Sequence, residues 1–299
     1  MNGDLNSMSS IEKALLKNQV IAPFAYTQAG GVADYLAIPK SLDELSDLLA
    51  WARKNELPVH VFGRLSNLVV RSGGLRGLVI LMTELKAVQQ EGDQLIAEAG
   101  CDIIWLAAVA QDKGLTGLEW AAGIPGSVGG AVFMNAGAYG GQADMVVESV
   151  TALMPDLSLQ TFAREELAFA YRHSVFQDNG GVIVQARFAL KPGKKEKIQA
   201  KMDENNYARA LKQPLSWPSN GSVFKRPEGH FAGKLIMDSG LQGTAVGGVM
   251  VSTKHAGFMV NVDHGSGNDY EDLIHLVQAE VYKNYQVKLE PEVRIIGDR

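Results

Sequence analysis

The chain has 299 residues, 46% hydrophobic and 20% charged, the balance of an ordinary globular protein with room for two or three domains. A net charge of −5, with no basic block beyond Lys194–Lys195, argues against a nucleic-acid binder, although a few local cations would still serve a small anionic ligand. The single cysteine, Cys101, excludes an intrachain disulfide and reads as a small buried residue; six scattered histidines without metal-ligand spacing argue against zinc.

Residues 1–10 are polar and lack an apolar stretch, so no signal peptide is expected and the cytoplasm is the expected location. Residues 11–18 read as a short helix and 34–38 as a strand. Ser41-x-x-Glu44 predicts a capping box, followed by Leu45, Leu48, Leu49 and Ala52 at helical spacing. A strand at 59–62 completes a β-α-β unit and runs into Gly63-Arg-Leu-Ser-Asn67. Short strands follow at 68–70 and 78–81, separated by Ser72-Gly-Gly74. A strand at 95–99, a helix at 103–113, and strands at 146–154 and 182–190 form the next unit, closed by a basic turn at 191–195. A helix over 197–212 leads to a loop at 219–227, a helix over 270–285 and a charged strand over 287–296. The expected organisation is α+β, with divisions at 1–84, 85–200 and 201–299.

The longest uncharged run, 120–143, has the length of a membrane span, about 20 residues. Its seven glycines, Pro125 and Asn135 make it a functional loop instead. From Ala121 to Gly141 it carries no charge, and such glycine-rich backbone lets a flat ring and a pyrophosphate approach closely. Gly63–Asn67, after a strand, has hydroxyl, amide and backbone donors suited to a diphosphate. Neither segment is a Rossmann fingerprint or a P-loop. Tyr171-Arg-His-Ser174 offers a planar cation suited to a carboxylate. Asn220-Gly-Ser-Val-Phe-Lys-Arg-Pro227 places Ser222 beside a glycine without a nucleophile elbow, which argues against a hydrolase. Glu290-Pro-Glu-Val-Arg294 holds Glu292 near the C-terminus.

In this order, these segments resemble the UDP-N-acetylenolpyruvoylglucosamine reductase family, over residues 23–297. The run Gly114-Leu-Thr-Gly-Leu-Glu-Trp-Ala-Ala-Gly-Ile-Pro-Gly-Ser-Val-Gly-Gly130, Tyr171-Arg-x-Ser174, Gly221-Ser-Val-Phe-Lys225 and Leu289-Glu-Pro-Glu-Val-Arg294 carry the resemblance. It implies a two-subdomain FAD-binding fold of the vanillyl-alcohol-oxidase (PCMH) type plus a C-terminal α+β substrate-binding domain, in the shorter variety that lacks an inserted tyrosine loop. It further implies NADPH as co-substrate and a UDP-linked enolpyruvyl amino sugar as substrate, in peptidoglycan precursor synthesis, by a monomer or weak dimer. Ser222 would be the proton donor, with Arg172 and Glu292 on the substrate carboxylate. Tyr171, Lys212, Lys225 and Arg226 would bind substrate. Gly63, Arg64, Ser66, Asn67, Gly123, Pro125, Gly126, Ser127, Gly129, Gly130 and Val182 would bind a non-covalent FAD.

Three positions depart from the family pattern. Leu65 stands where glycine is usual, so a positive φ there would cost about 1 kcal/mol or more, or force the loop to bend differently. Asn220 replaces a cysteine or alanine, and Thr27-Gln-Ala-Gly-Gly31 is a loose version of an N-terminal motif. Two other readings are open on the residues alone: a flavin oxidase of the same fold acting on an alcohol or hydroxy acid, and a UDP-sugar-binding regulator without redox activity. Neither glycine-rich segment holds the His or Cys of a covalent flavin link.

Overall fold

The computed structural model describes Ile11 and residues 13–299, so the expectation about residues 1–10 lies outside the described residues. Two compact units form. Among the described residues the first comprises Ile11, 13–16, Tyr35–Arg64 and Gly77–Arg209; the second comprises Lys17–Asp34, Leu65–Arg76 and Ala210–Arg299. Among the described residues no helix is long and apolar enough to cross a membrane.

In the first unit, Ser41 caps helix Leu42–Lys54 by accepting from the Glu44 N–H at 3.1 Å. The Glu44 carboxylate accepts from the Lys40 N–H at 2.7 Å rather than from Ser41, so the expected box closes on one side only. Leu45, Leu48 and Ala52 are buried, as their spacing requires. Strand Val59–Phe62 then runs parallel to Leu75–Leu81, from Val59 opposite Leu78 to Phe62 opposite Leu81. A five-stranded antiparallel sheet has the order Leu159–Ala163, Val147–Leu153, Val182–Ala189, Gln94–Glu98, Val88–Glu91. Helix Ile103–Asp112 buries Ile103, Leu106, Ala107 and Ala110 on one face. Cys101 is buried, and burial beside Asp102 and Glu98 pushes its thiol up to about 12, leaving it protonated and unreactive at neutral pH.

Several local expectations are corrected. Leu16–Val20 is a strand where the helix was expected to continue, and Asn18 has φ +50°, outside any right-handed helix. Lys191–Pro192 pairs with Leu115–Thr116 rather than turning freely, and Lys195 already starts the helix Lys195–Lys212. Inside the glycine-rich segment, Val128–Phe133 is helical because Ser127 supplies an N-cap. Ser219–Ser222, expected as loop, is a strand on Phe258–Asn261. The C-terminal strand is only Arg294–Ile296, and Pro291 before it forms an isolated bridge with Phe224.

In the second unit an antiparallel sheet runs Ser219–Ser222, Phe258–Asn261, Val249–Val251, Ala245–Val246. Helix Gly267–Tyr285 presents Tyr270, Leu273, Ile274, Val277 and Val281, all fully buried, to the core shared with Val249 and Val251. A reciprocal capping box, Ser266 with Asp269, starts it three residues before the expected Tyr270. Leu68–Val70 runs parallel to Arg294–Ile296.

Arg71 fixes that parallel pair to the helix. Its Nε and Nη2 donate to the two Glu271 carboxylate oxygens at 2.8 and 2.6 Å, and Nη1 donates to the Gly297 carbonyl at 2.9 Å. The Arg71 hydrogen bonds hold the buried Glu271 carboxyl below its ordinary value of 4.5, against the opposing effect of burial. A depressed folded value means that the stabilisation is complete above about pH 4.5 and is lost as pH falls through the folded value. Glu271→Gln should therefore lower stability at neutral pH by about 1–3 kcal/mol, less than for a fully buried pair because Arg71 is partly solvated. It should also flatten the acid limb of stability against pH. Urea unfolding of both proteins at neutral and acid pH measures this.

Candidate active site

The glycine-rich segment of the first unit is stitched to the stretch that precedes helix Ile103–Asp112. Val128 N–H donates to Cys101 O at 2.8 Å, Gly129 N–H to Ala99 O at 2.8 Å, and Ile103 N–H to Gly126 O at 3.0 Å. Ala99 N–H donates to Val184 O at 2.9 Å, which brings the start of strand Val182–Ala189 alongside. Pro125 and Gly126, the latter at φ +147°, turn the chain into Ser127, whose Oγ accepts from the Gly130 N–H at 3.2 Å.

Gly63, at the end of the β-α-β unit, meets this turn. A Cβ on Gly63 would stand 2.0 Å from Ser127 Oγ, so only glycine permits the approach. At Gly130 the reverse holds: a Cβ would meet nothing closer than Ser127 Oγ at 3.4 Å, so internal packing does not demand glycine and the exposed face there is left bare. Gly123 is set by neighbours instead, a Cβ there falling 2.4 Å from Asn206 Oδ1. Gly63 and the turn that leads into Ser127 thus meet within the first unit in a stretch poor in side chains. Its shape and chemistry fit a flavin with its pyrophosphate. Arg64 has a different occupation: Nε and Nη2 donate to Asp102 Oδ1 and Oδ2 at 2.5 and 2.6 Å. Sequence reasoning missed Asp102, although an acid immediately before a helix beside a glycine-rich turn was the available signal.

Tyr171 and Arg172 also belong to the first unit. They are the middle residues of a tight turn in which Ala170 and His173 exchange N–H···O bonds of 3.2 Å. Arg172 has φ +56°, a conformation that this turn position usually gives to glycine or asparagine. Its guanidinium carbon lies 5.1 Å from the Tyr171 ring centroid. Ser174 is fully buried and donates to Phe133 O at 2.9 Å, so this hydroxyl serves the fold.

The second unit brings together Asn67, Ser222 and Glu292. Glu292 N–H donates to Val223 O at 2.7 Å, and Lys225 N–H to Glu290 O at 2.9 Å, so 223–225 and 290–292 lie side by side. Asn67 Nδ2 donates to Glu292 O at 3.2 Å, and Ser66 precedes it in the same loop. Gly221, at φ +79°, is part of a bulge in the strand and leaves Ser222 exposed. Lys225 Nζ is 3.4 Å from Glu290 Oε2, while Arg226 stacks 4.1 Å from the Phe231 ring centroid. Lys212 ends its helix exposed, and its charge adds to burial in lowering the His255 value. Leu65 has φ +49°, so the loop keeps a glycine-like bend with leucine in place. Its side chain is 3% exposed, and that burial offsets the ~1–2 kcal/mol of left-handed strain. Asn220 is also 3% exposed, with neither amide atom hydrogen-bonded among the described residues. Asn220→Ala removes donor and acceptor together and should leave thermal stability unchanged or raised by up to about 1–3 kcal/mol; a clear fall in Tm would show that the amide is satisfied in solution.

An FAD-binding domain model matches residues 33–162, and a model for the C-terminal domain of UDP-N-acetylenolpyruvoylglucosamine reductase matches residues 213–296. The UDP-N-acetylenolpyruvoylglucosamine reductase of Leuconostoc mesenteroides is 65% identical over 285 residues, covering 95% of this chain and 98% of its own. That of Lactiplantibacillus plantarum is 54% identical, covering 94% and 93%. The crystal structure of the corresponding enzyme from Thermus caldophilus superposes with a TM-score of 0.82 at 34% identity, over 93% of this chain and 98% of that one. With the glycine-rich cradle, these similarities define an FAD-dependent oxidoreductase. The two domain matches follow one another along the chain in the same order as the expected cofactor and substrate segments. The chain belongs to the UDP-N-acetylenolpyruvoylglucosamine reductase family.

Gly63→Ala tests the cradle. The added methyl cannot coexist with Ser127 Oγ, so the loop must shift from the flavin surface. The purified variant should retain little FAD, read from its visible absorbance relative to protein, while its far-ultraviolet circular dichroism stays close to wild type. Full flavin occupancy would place the cofactor elsewhere.

Proposed function

We propose that this chain reduces UDP-N-acetylglucosamine enolpyruvate to UDP-N-acetylmuramate in the cytoplasm, with NADPH as the source of electrons. The observation that supports it most is the lateral pairing of 223–225 with 290–292, which brings the backbone next to Ser222 alongside that of Glu292 in the second unit. Gly63, Ser127 and Gly130 would hold FAD, together with Pro125, Gly126, Gly129 and Val182. Arg64 would act through its Asp102 pair by fixing the loop. When bound, FAD supplies the hydride. Its attachment is non-covalent, since no His or Cys lies in 63–68 or 123–141.

The work of the protein is then electrostatic and acid–base. Hydride addition to an enol ether conjugated with a carboxylate builds negative charge on that carboxylate, and a preorganised guanidinium and carboxyl stabilise it where water is excluded. Arg172 and Glu292 take these roles. The carbon that must be protonated is strongly basic at that point, so a weak acid suffices, and the exposed Ser222 hydroxyl delivers the proton. Tyr171, Lys212, Lys225 and Arg226 would hold the rest of the substrate, with the basic groups facing its phosphates.

Ser222→Ala should separate the half-reactions. Flavin reduction by NADPH is expected to survive, whereas reoxidation by the enolpyruvyl sugar should slow about 10²–10⁴-fold, mainly in kcat. Stopped-flow traces of each half-reaction decide it: wild-type reoxidation would remove Ser222 from proton delivery, and equal damage to both halves would make it a loop-folding residue.

A further inference from the structure

Gln177 ends the 3₁₀ turn Val175–Gln177, five residues beyond Arg172. Its carboxamide nitrogen donates to Phe133 O and to Arg172 O, both at 2.9 Å. Phe133 is the last residue of helix Val128–Phe133, where terminal carbonyls lack intrahelical partners. Ser174 Oγ donates to the same Phe133 carbonyl at 2.9 Å, and Asn135 Nδ2 donates to Ala170 O at 3.0 Å. The Ala170–His173 turn is therefore fastened to the end of the glycine-rich helix at Ala170, Arg172 and Ser174, and Gln177 grips the residue at φ +56° by its carbonyl. A left-handed arginine costs about 1–2 kcal/mol against its ordinary conformations, so its position must be imposed by its neighbours.

We propose that Gln177 is a positioning residue for Arg172: by bridging the Phe133 and Arg172 carbonyls it maintains the strained turn and so sets where the guanidinium stands when the substrate carboxylate arrives. This builds on the assignment of Arg172 to that carboxylate in the proposed function. Because the bridge starts from the helix that carries Gly129 and Gly130, it also ties the geometry of the carboxylate-binding turn to that of the flavin cradle within the same unit.

Gln177→Met keeps the side-chain length and removes both donors. In the FAD-loaded variant, reduction by NADPH should stay near the wild-type rate. Reoxidation by the enolpyruvyl sugar should slow about 10–100-fold, the scale of a misplaced orienting group. In an Arg172→Ala background, Gln177→Met should add nothing further, because the group that it positions is already gone. A further loss of similar size in that background, or wild-type reoxidation in Gln177→Met while Arg172→Ala is slow, overturns the positioning role alone. Wild-type reoxidation in Arg172→Ala overturns the carboxylate assignment and the positioning role with it. Gln177→Glu gives an independent readout should the methionine variant fail to fold. An ionised carboxylate repels both carbonyls, but a protonated one donates to one of them. Its reoxidation rate relative to wild type should thus rise as pH is lowered, and a ratio independent of pH contradicts the bridge.

Discussion

The contact on which the proposed flavin cradle depends is the approach of Gly63 to the Ser127 hydroxyl. Two chain segments more than sixty residues apart meet where neither has a side chain to spare. The β-α-β unit ends at Gly63 because a strand must end there to deliver its loop, and Ser127 is at the same place because its side chain caps the helix that follows. One short contact therefore ties a turn, a helix cap and a strand end together. The ion pair of Arg64 with Asp102 supports the same junction from the side, through a bidentate geometry that a lysine could not reproduce.

Backbone strain falls on two of the residues singled out by sequence. Arg172 and Leu65 both have φ near +50°, and each is a residue that pays for a conformation glycine would adopt freely. Leucine has a compensating gain in its burial. Arginine is only half-buried, and the hydrogen-bonded frame of Asn135, Ser174 and Gln177 helps to keep its turn in place. The second unit solves its own placement problem with ordinary strand pairing: Ser222 follows a bulge at Gly221, and Glu292 is aligned by its backbone bond to Val223.

Much of this was legible in the sequence, for definite reasons. Helices Leu42–Lys54 and Gly267–Tyr285 announce themselves by apolar spacing, and the glycine-rich segment by its lack of charge over a long run. What escaped were features decided by partners distant in sequence. Strands Leu159–Ala163 and Val88–Glu91 are largely exposed edge strands, stabilised by pairing rather than by a buried apolar face. The pairing of Ser219–Ser222 on Phe258–Asn261 overrides a local sequence rich in turn formers. Among the candidate site residues, Arg172, Ser222 and Glu292 stand in recognisable motifs, whereas Asp102 and Gln177 make hydrogen bonds that spacing does not reveal.

The central claim is that FAD held by this chain carries electrons from a nicotinamide to an enolpyruvyl sugar. An anaerobic titration of the purified FAD-loaded protein tests it most directly. The yellow colour should bleach on addition of NADPH and return, equivalent for equivalent, on addition of UDP-N-acetylglucosamine enolpyruvate, with no return on addition of UDP-N-acetylglucosamine. A reduced flavin that only oxygen recolours would contradict the account.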